Sequence, residues 1–82
     1  MTIELQLFAR LRELCGNQAQ MSLELLDGAT PEDCFERLCE EFSAARPYRG
    51  TLAVAVNEEY AAWDRELQPG DAVIFIPPVS GG

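Results

Sequence analysis

The sequence predicts a two-layer α+β domain, a sheet covered by one principal helix, and three observations carry that expectation. Large apolar residues alternate with polar ones in "TIELQLF", "QMSLELL" and "TLAVAVN", the two-residue period of half-buried strands. One stretch, "GATPEDCFERLCEEFSAARP", has a helical start signal followed by an apolar stripe. An unbroken apolar run, "AVIFI", lies near the end of the chain. At 82 residues there is room for one sheet and one main helix, and strands and helix bury their apolar faces only against each other.

In the first strand Ile3, Leu5 and Leu7 face one way and Glu4 and Gln6 the other, until Phe8 breaks the alternation and points away from that face. Phe8, Leu11 and Leu14 then stand at helical spacing before Gly16, which predicts a short helix with a left-handed cap. Met21, Leu23 and Leu25 give the inward face of the second strand. Thr30 is the expected N-cap of the main helix, with Pro31 at its first position and Asp33 at capping-box spacing. Cys34, Phe35, Leu38, Cys39 and Phe42 form its apolar stripe, Asp33, Glu36, Arg37 and Glu40 its polar face, and Pro47 is expected to force an exit after Arg46.

The third strand sets Leu52, Val54 and Val56 against small Ala53 and Ala55, which would let helix and backbone approach closely on at least one side. Pro69 and Gly70 suit the central positions of a type II turn. The following "AVIFI" lacks alternation, which predicts an interior strand covered on both sides and ended by Pro77.

Composition narrows the function classes. Fourteen acids against six arginines leave a net charge of −8, which argues against nucleic acid and anionic membranes as partners and favours a basic protein surface. The sequence contains neither lysine nor histidine, so Schiff-base chemistry and the usual acid/base group near neutral pH are missing. Cys15, Cys34 and Cys39 have no CxxC spacing, so neither a zinc site nor a disulfide framework is indicated, and no metal is expected. Reduced cytoplasm is the simplest setting. Cys34 and Cys39 read as core residues, while Cys15, beside Gly16, is expected to be partly exposed. Trp63 reads as a lid over the core edge, and Glu58 and Glu59 as a solvated turn.

The C-terminal "IPPVSGG" is the candidate functional segment. A domain of residues 1–76 would carry an extended tail of residues 77–82. Pro77 and Pro78 restrict φ, so six residues would reach roughly 18–20 Å. Val79, Ser80 and Gly81 would thread a narrow channel, with glycine adding no side chain, and the carboxylate of Gly82 would be the reactive group at the tip. No group in the chain suits activation of that carboxylate, so partners would supply the chemistry.

"LFARLRELCG", "VNEEY" and "GDAVIFIPPVSGG" resemble the small, sulfur-carrying subunits of molybdopterin synthase, a ubiquitin-like β-grasp family, and the resemblance spans nearly the whole chain. It implies a mixed sheet of four to five strands with one main helix packed across it. It also implies no bound cofactor, with ATP used by an activating partner resembling the ubiquitin-activating adenylyltransferases to adenylate Gly82. A sulfur donor protein would convert the adenylate to a thiocarboxylate. The tail would then enter the large synthase subunit, in an assembly pairing two copies of each subunit, and pass sulfur to cyclic pyranopterin monophosphate. Phe8, Leu11 and Phe75 are the candidate docking patch. The thiamine-type sulfur carriers and the ubiquitin-like protein modifiers, which also end in two glycines, are the alternatives.

Overall fold

The computed structural model describes residues 1–77. The elements follow in the order β1 (Thr2–Gln6), α1 (Ala9–Leu14), β2 (Gln20–Glu24), α2 (Pro31–Glu41), a 3₁₀ segment (Ser43–Thr51), β3 (Ala53–Val56), β4 (Glu59–Tyr60) and β5 (Ala72–Ile76). The sheet order is β2-β1-β5-β3-β4. β5 runs parallel to β1 and antiparallel to β3, so the sheet is mixed. This is the expected β-grasp arrangement, a five-strand sheet clasping one main helix.

The core lies between α2 and one face of the sheet. Ile3, Leu5, Leu23, Val54, Val56, Val73 and Phe75 point into it and meet Cys34, Phe35, Leu38 and Cys39 of α2. The start of α2 is as expected: Asp33 N–H donates to Thr30 Oγ1 and Thr30 N–H donates to Asp33 Oδ2, the reciprocal capping box. Its end is not. α2 stops at Glu41, well before Pro47, which lies inside the 3₁₀ segment. Tight i+3 turns accommodate proline better than a continuing α-helix, where its ring meets the preceding turn.

The type II turn is present: Asp71 N–H donates to the Gln68 carbonyl and Gly70 has φ +84°. The expectation that β5 is covered on both sides is corrected. Val73 and Phe75 are buried, but Ile74 and Ile76 are only half-buried, because α2 covers one face of the sheet and the other is open. Ala53 and Ala55 also lie on that open face, so the small residues of β3 do not bring the helix closer.

Candidate functional site

The site is built around the end of β5, the strand that hands the chain to Pro77. Phe75 is fully buried and meets Phe35 edge-on at 5.3 Å between ring centroids and Trp63 face-on at 5.5 Å. The guanidinium carbon of Arg49 stands 3.4 Å from the Trp63 ring centroid. Arg49 in turn forks onto Glu32, with Nε and Nη2 donating to the two carboxylate oxygens at 2.8 and 2.9 Å. Glutamate, arginine, tryptophan and phenylalanine thus form one continuous stack from α2 and the 3₁₀ segment to the last turn of the core. It anchors β5 two residues before Pro77.

The opposite end of β5 is fixed by Asn57 and Asp71. Asn57 N–H donates to the Ala72 carbonyl at 2.8 Å, its side-chain carbonyl accepts from Ala72 N–H, and its amide donates to Asp71. Asp71, 8% exposed, also accepts from Gln68 N–H. Asn57 and Glu58 both have positive φ, 51° and 71°, between the paired residues Val56 and Glu59. A two-residue hairpin turn of this hand requires that conformation, which asparagine adopts readily. "VNEEY" and "GDAVIF" are therefore two halves of one clasp.

Beside the root of the tail the open face is apolar. Tyr60 and Ala55 lie level with Ile74, and Ala53 with Ile76. Continuing the parallel register of β1 and β5 brings Phe8, extended at φ −132°, level with Ile76. Phe8 is 49% and Tyr60 79% exposed, the most exposed aromatic residues described. Ala9 follows at φ +53°, a left-handed conformation that costs an alanine about 1–2 kcal/mol. That reversal turns the chain into α1 while leaving Phe8 on the sheet face. A concavity of about 460 Å³ opens next to it, with Leu11, Leu52 and Pro77 among its walls and Arg10 and Tyr48 at its rim.

Of the three expected docking residues, Phe8 is available. Leu11 and Phe75 are not, being 2% and 0% exposed. Leu11 turns inward from α1 to close the core, and Phe75 alternates inward from Ile74 and Ile76 under the aromatic stack. Tyr60, Ile74 and Ile76, which share the open face with Phe8, are not among the residues read from the sequence. "AVIFI" has no alternation to tell the two isoleucines from their buried neighbours; they show only because the helix covers one face of the sheet. Pro77 is described and flanks the concavity; Pro78, Val79, Ser80, Gly81 and Gly82 lie outside the described residues.

All three thiols are buried, Cys15 included, which corrects the expectation that Cys15 is partly exposed. Burial pushes the Cys15 thiol up to about 11, with Cys39 adding to the shift, and the Cys34 thiol up to about 12. It also raises Cys39. None is a nucleophile at neutral pH. Trp63 is the expected lid, and Glu58 and Glu59 are exposed turn residues. Among the described residues no group of acids or cysteines is placed to hold a metal ion, and no helix is long and apolar enough to cross a membrane.

Residues 5–82 match a family model, the ThiS family. The chain belongs to the ThiS family. This ThiS-family chain is 36% identical over 80 residues to the molybdopterin synthase sulfur carrier subunit of Arabidopsis thaliana, covering 98% of this chain and 82% of that one. It is 39% identical over 84 residues to the subunit of the same name from Chlamydomonas reinhardtii, with both chains covered in full. Among solved structures, SAMP1 of Haloferax volcanii, a small archaeal modifier protein, superposes with a TM-score of 0.86 at 30% identity and full coverage of both chains. The resemblance read from the sequence motifs and the β-grasp fold are both borne out.

Proposed function

We propose that this chain is the sulfur carrier subunit of a molybdopterin synthase, acting through the carboxyl group of Gly82. The observation that carries the reading is the route to that group. β5 is locked by the Asn57–Asp71 clasp at one end and the Phe75 stack at the other, it ends at Pro77, and the sequence from there runs five residues to the Gly-Gly terminus. Similarity to sulfur carrier subunits along the whole chain supports it.

The Gly82 carboxylate attacks the α-phosphorus of ATP on an activating partner, releasing pyrophosphate and leaving an acyl adenylate. Sulfur at the sulfide level, delivered by a donor protein, attacks the acyl carbon and expels AMP. The resulting thiocarboxylate is a stronger nucleophile than the carboxylate and remains bound to its carrier. Residues 77–82 act as an extended tail that enters the large synthase subunit, where sulfur passes to cyclic pyranopterin monophosphate and Gly82 returns as a carboxylate. Phe8, Tyr60 and Ile76 dock the folded domain and leave the tail as the part that enters. The chain's own cysteines take no part, because each thiol is buried and protonated. Three free thiols suit a reducing compartment such as the cytoplasm.

Likeness to a small archaeal modifier protein favours a second reading, attachment through Gly82 to amines of target proteins. Both uses pass through the same adenylate. With no lysine, this chain has no side-chain amine on which to build polymers of itself, which weighs toward the carrier. Intact mass after incubation with the activating enzyme, ATP and a sulfide source separates the two. Replacement of one oxygen by sulfur, lost on deletion of Gly82, supports the carrier. Amide adducts on target lysines with no sulfur gained would replace it with the modifier.

A further inference from the structure

Two strands away from the exit at Pro77, the sheet has a free edge. β2 is an edge strand. Leu7 N–H donates to Ala19 and Leu25 N–H to Met1, and with Leu5 opposite Met21 and Ile3 opposite Leu23 the odd-numbered residues of β2 make the hydrogen bonds to β1. In an antiparallel ladder the alternate residues then turn their N–H and C=O groups outward. Gln20, Ser22 and Glu24 therefore present an unpaired backbone edge, and all three are exposed. Its one charged side chain is Glu24, at its end, and neither proline nor a bulge interrupts it.

Where β2 ends, the chain lines a concavity of about 450 Å³ between the β2–α2 connection and the outer face of α2. Leu25, Leu26 and Ala29 give it an apolar lining, and Leu26 is 87% exposed, more than any other large apolar side chain described. Glu24, Asp27, Asp33, Glu36 and Glu40 supply five carboxylates around it and Arg37 one guanidinium. Arg46 pairs with Glu36, and the Met1 amine lies within 4 Å of Glu24 and Asp27, yet the balance stays negative.

We propose that this edge and groove bind an extended, basic segment of another protein, which adds to the sheet as a sixth strand beside β2. Its backbone pairs with Gln20, Ser22 and Glu24, an apolar side chain covers Leu26, and arginine or lysine side chains meet Glu36 and Glu40. Strand addition of this kind takes its affinity from main-chain hydrogen bonds and its specificity from alternate side chains. Charge complementarity selects a basic partner, since a carboxylate in the segment would face five others. The groove borders Met1 and Gly28, whereas the tail leaves from the far end of β5, so both surfaces are usable at once.

The test uses the full chain and a capped hexapeptide alternating valine and arginine, followed by backbone NMR and amide exchange. Shifts at residues 20–29 with new protection of the Gln20, Ser22 and Glu24 amides support the proposal. Ser22→Pro removes an outward N–H from an edge position where proline is tolerated, and it should weaken binding about tenfold, as loss of one or two backbone hydrogen bonds would. Should Ser22→Pro melt early, the same peptide N-methylated at alternate positions replaces it, and Leu26→Asp and Glu40→Arg, both at exposed positions, should each weaken binding several-fold. Equal affinity for a valine–glutamate peptide, shifts confined to Phe8, Tyr60 and Ile74, or indifference to both the edge and the groove changes would overturn it. So would a spermine affinity matching that of the arginine peptide, which would reduce the groove to a cluster of charge.

Discussion

Replacing Trp63 with alanine tests whether the stack on Phe75 is what anchors the strand leading to the tail. Trp63 is half-buried, packed face-on against Phe75 with an interplanar angle of 12°, edge-on to Phe35 at 6.1 Å, and covered by Arg49. Complete truncation of a buried aromatic costs about 3–5 kcal/mol; partial exposure puts this one at the lower end, about 3 kcal/mol. That total is consistent with about 0.5–1.5 kcal/mol for each aromatic pair and about 0.5–1 kcal/mol for the cation over the ring, with lost apolar burial supplying the rest. For a domain of this size each kcal/mol moves Tm by about 4–8 °C, so the melting temperature should fall by roughly 12–24 °C. Thermal denaturation by circular dichroism measures it, and the double mutant with Arg49→Ala should show a coupling of about 0.5–1 kcal/mol between the two side chains. A drop under about 5 °C, or strictly additive single changes, would mean that the stack is an ornament of the surface and that β5 is held by its ladder alone.

Asn57→Ala should destabilise by about 2–3 kcal/mol in urea titration, because it removes the side chain's hydrogen bonds to Ala72 and Asp71 and forces alanine to a positive φ; Asn57→Gly should recover the turn but not the bonds. Tyr60→Asp, at an exposed position, should leave Tm within a few degrees and sharply reduce affinity for the large synthase subunit, and unchanged binding in calorimetry would remove the open face from the docking surface. The raised thiols predict a fall in stability in alkali. The unfolded chain releases its thiol protons near 9 while the folded chain holds those of Cys15 and Cys34 until about 11 and about 12. Stability is thus full below pH 9 and declines as pH rises through that window, and Cys34→Ala should flatten the decline. Deleting Gly82 should leave the thermal transition unchanged and abolish thiocarboxylate formation by intact mass.

The regular elements were legible because each rests on a local rule. The capping box is written in Thr30, Pro31 and Asp33, the inward face of β1 in Ile3, Leu5 and Leu7, and the turn in Pro69 and Gly70. Errors arose where a long-range neighbour decides. "AVIFI" reads as a strand buried on both faces, and nothing local says that the single helix covers only one. The same missing layer hid Ile74, Ile76 and Tyr60, and without alternation Phe75 could not be told from its less buried neighbours. Leu11 and Phe8 are both apolar and three residues apart, yet the left-handed turn at Ala9 sends them to opposite sides.

By itself the sequence determined which segments are strands and helix, where the main helix starts, and the family whose motifs the chain shares. These depend on periodicity, capping and residue identity, which are properties of neighbours along the chain. Only the tertiary structure decided which apolar residues remain on the surface, that all three cysteines are sealed, and that Glu32, Arg49, Trp63 and Phe75 form one stack. Those depend on which face of the sheet the helix covers and on contacts between residues 12 to 17 positions apart, and a one-dimensional pattern carries no record of either.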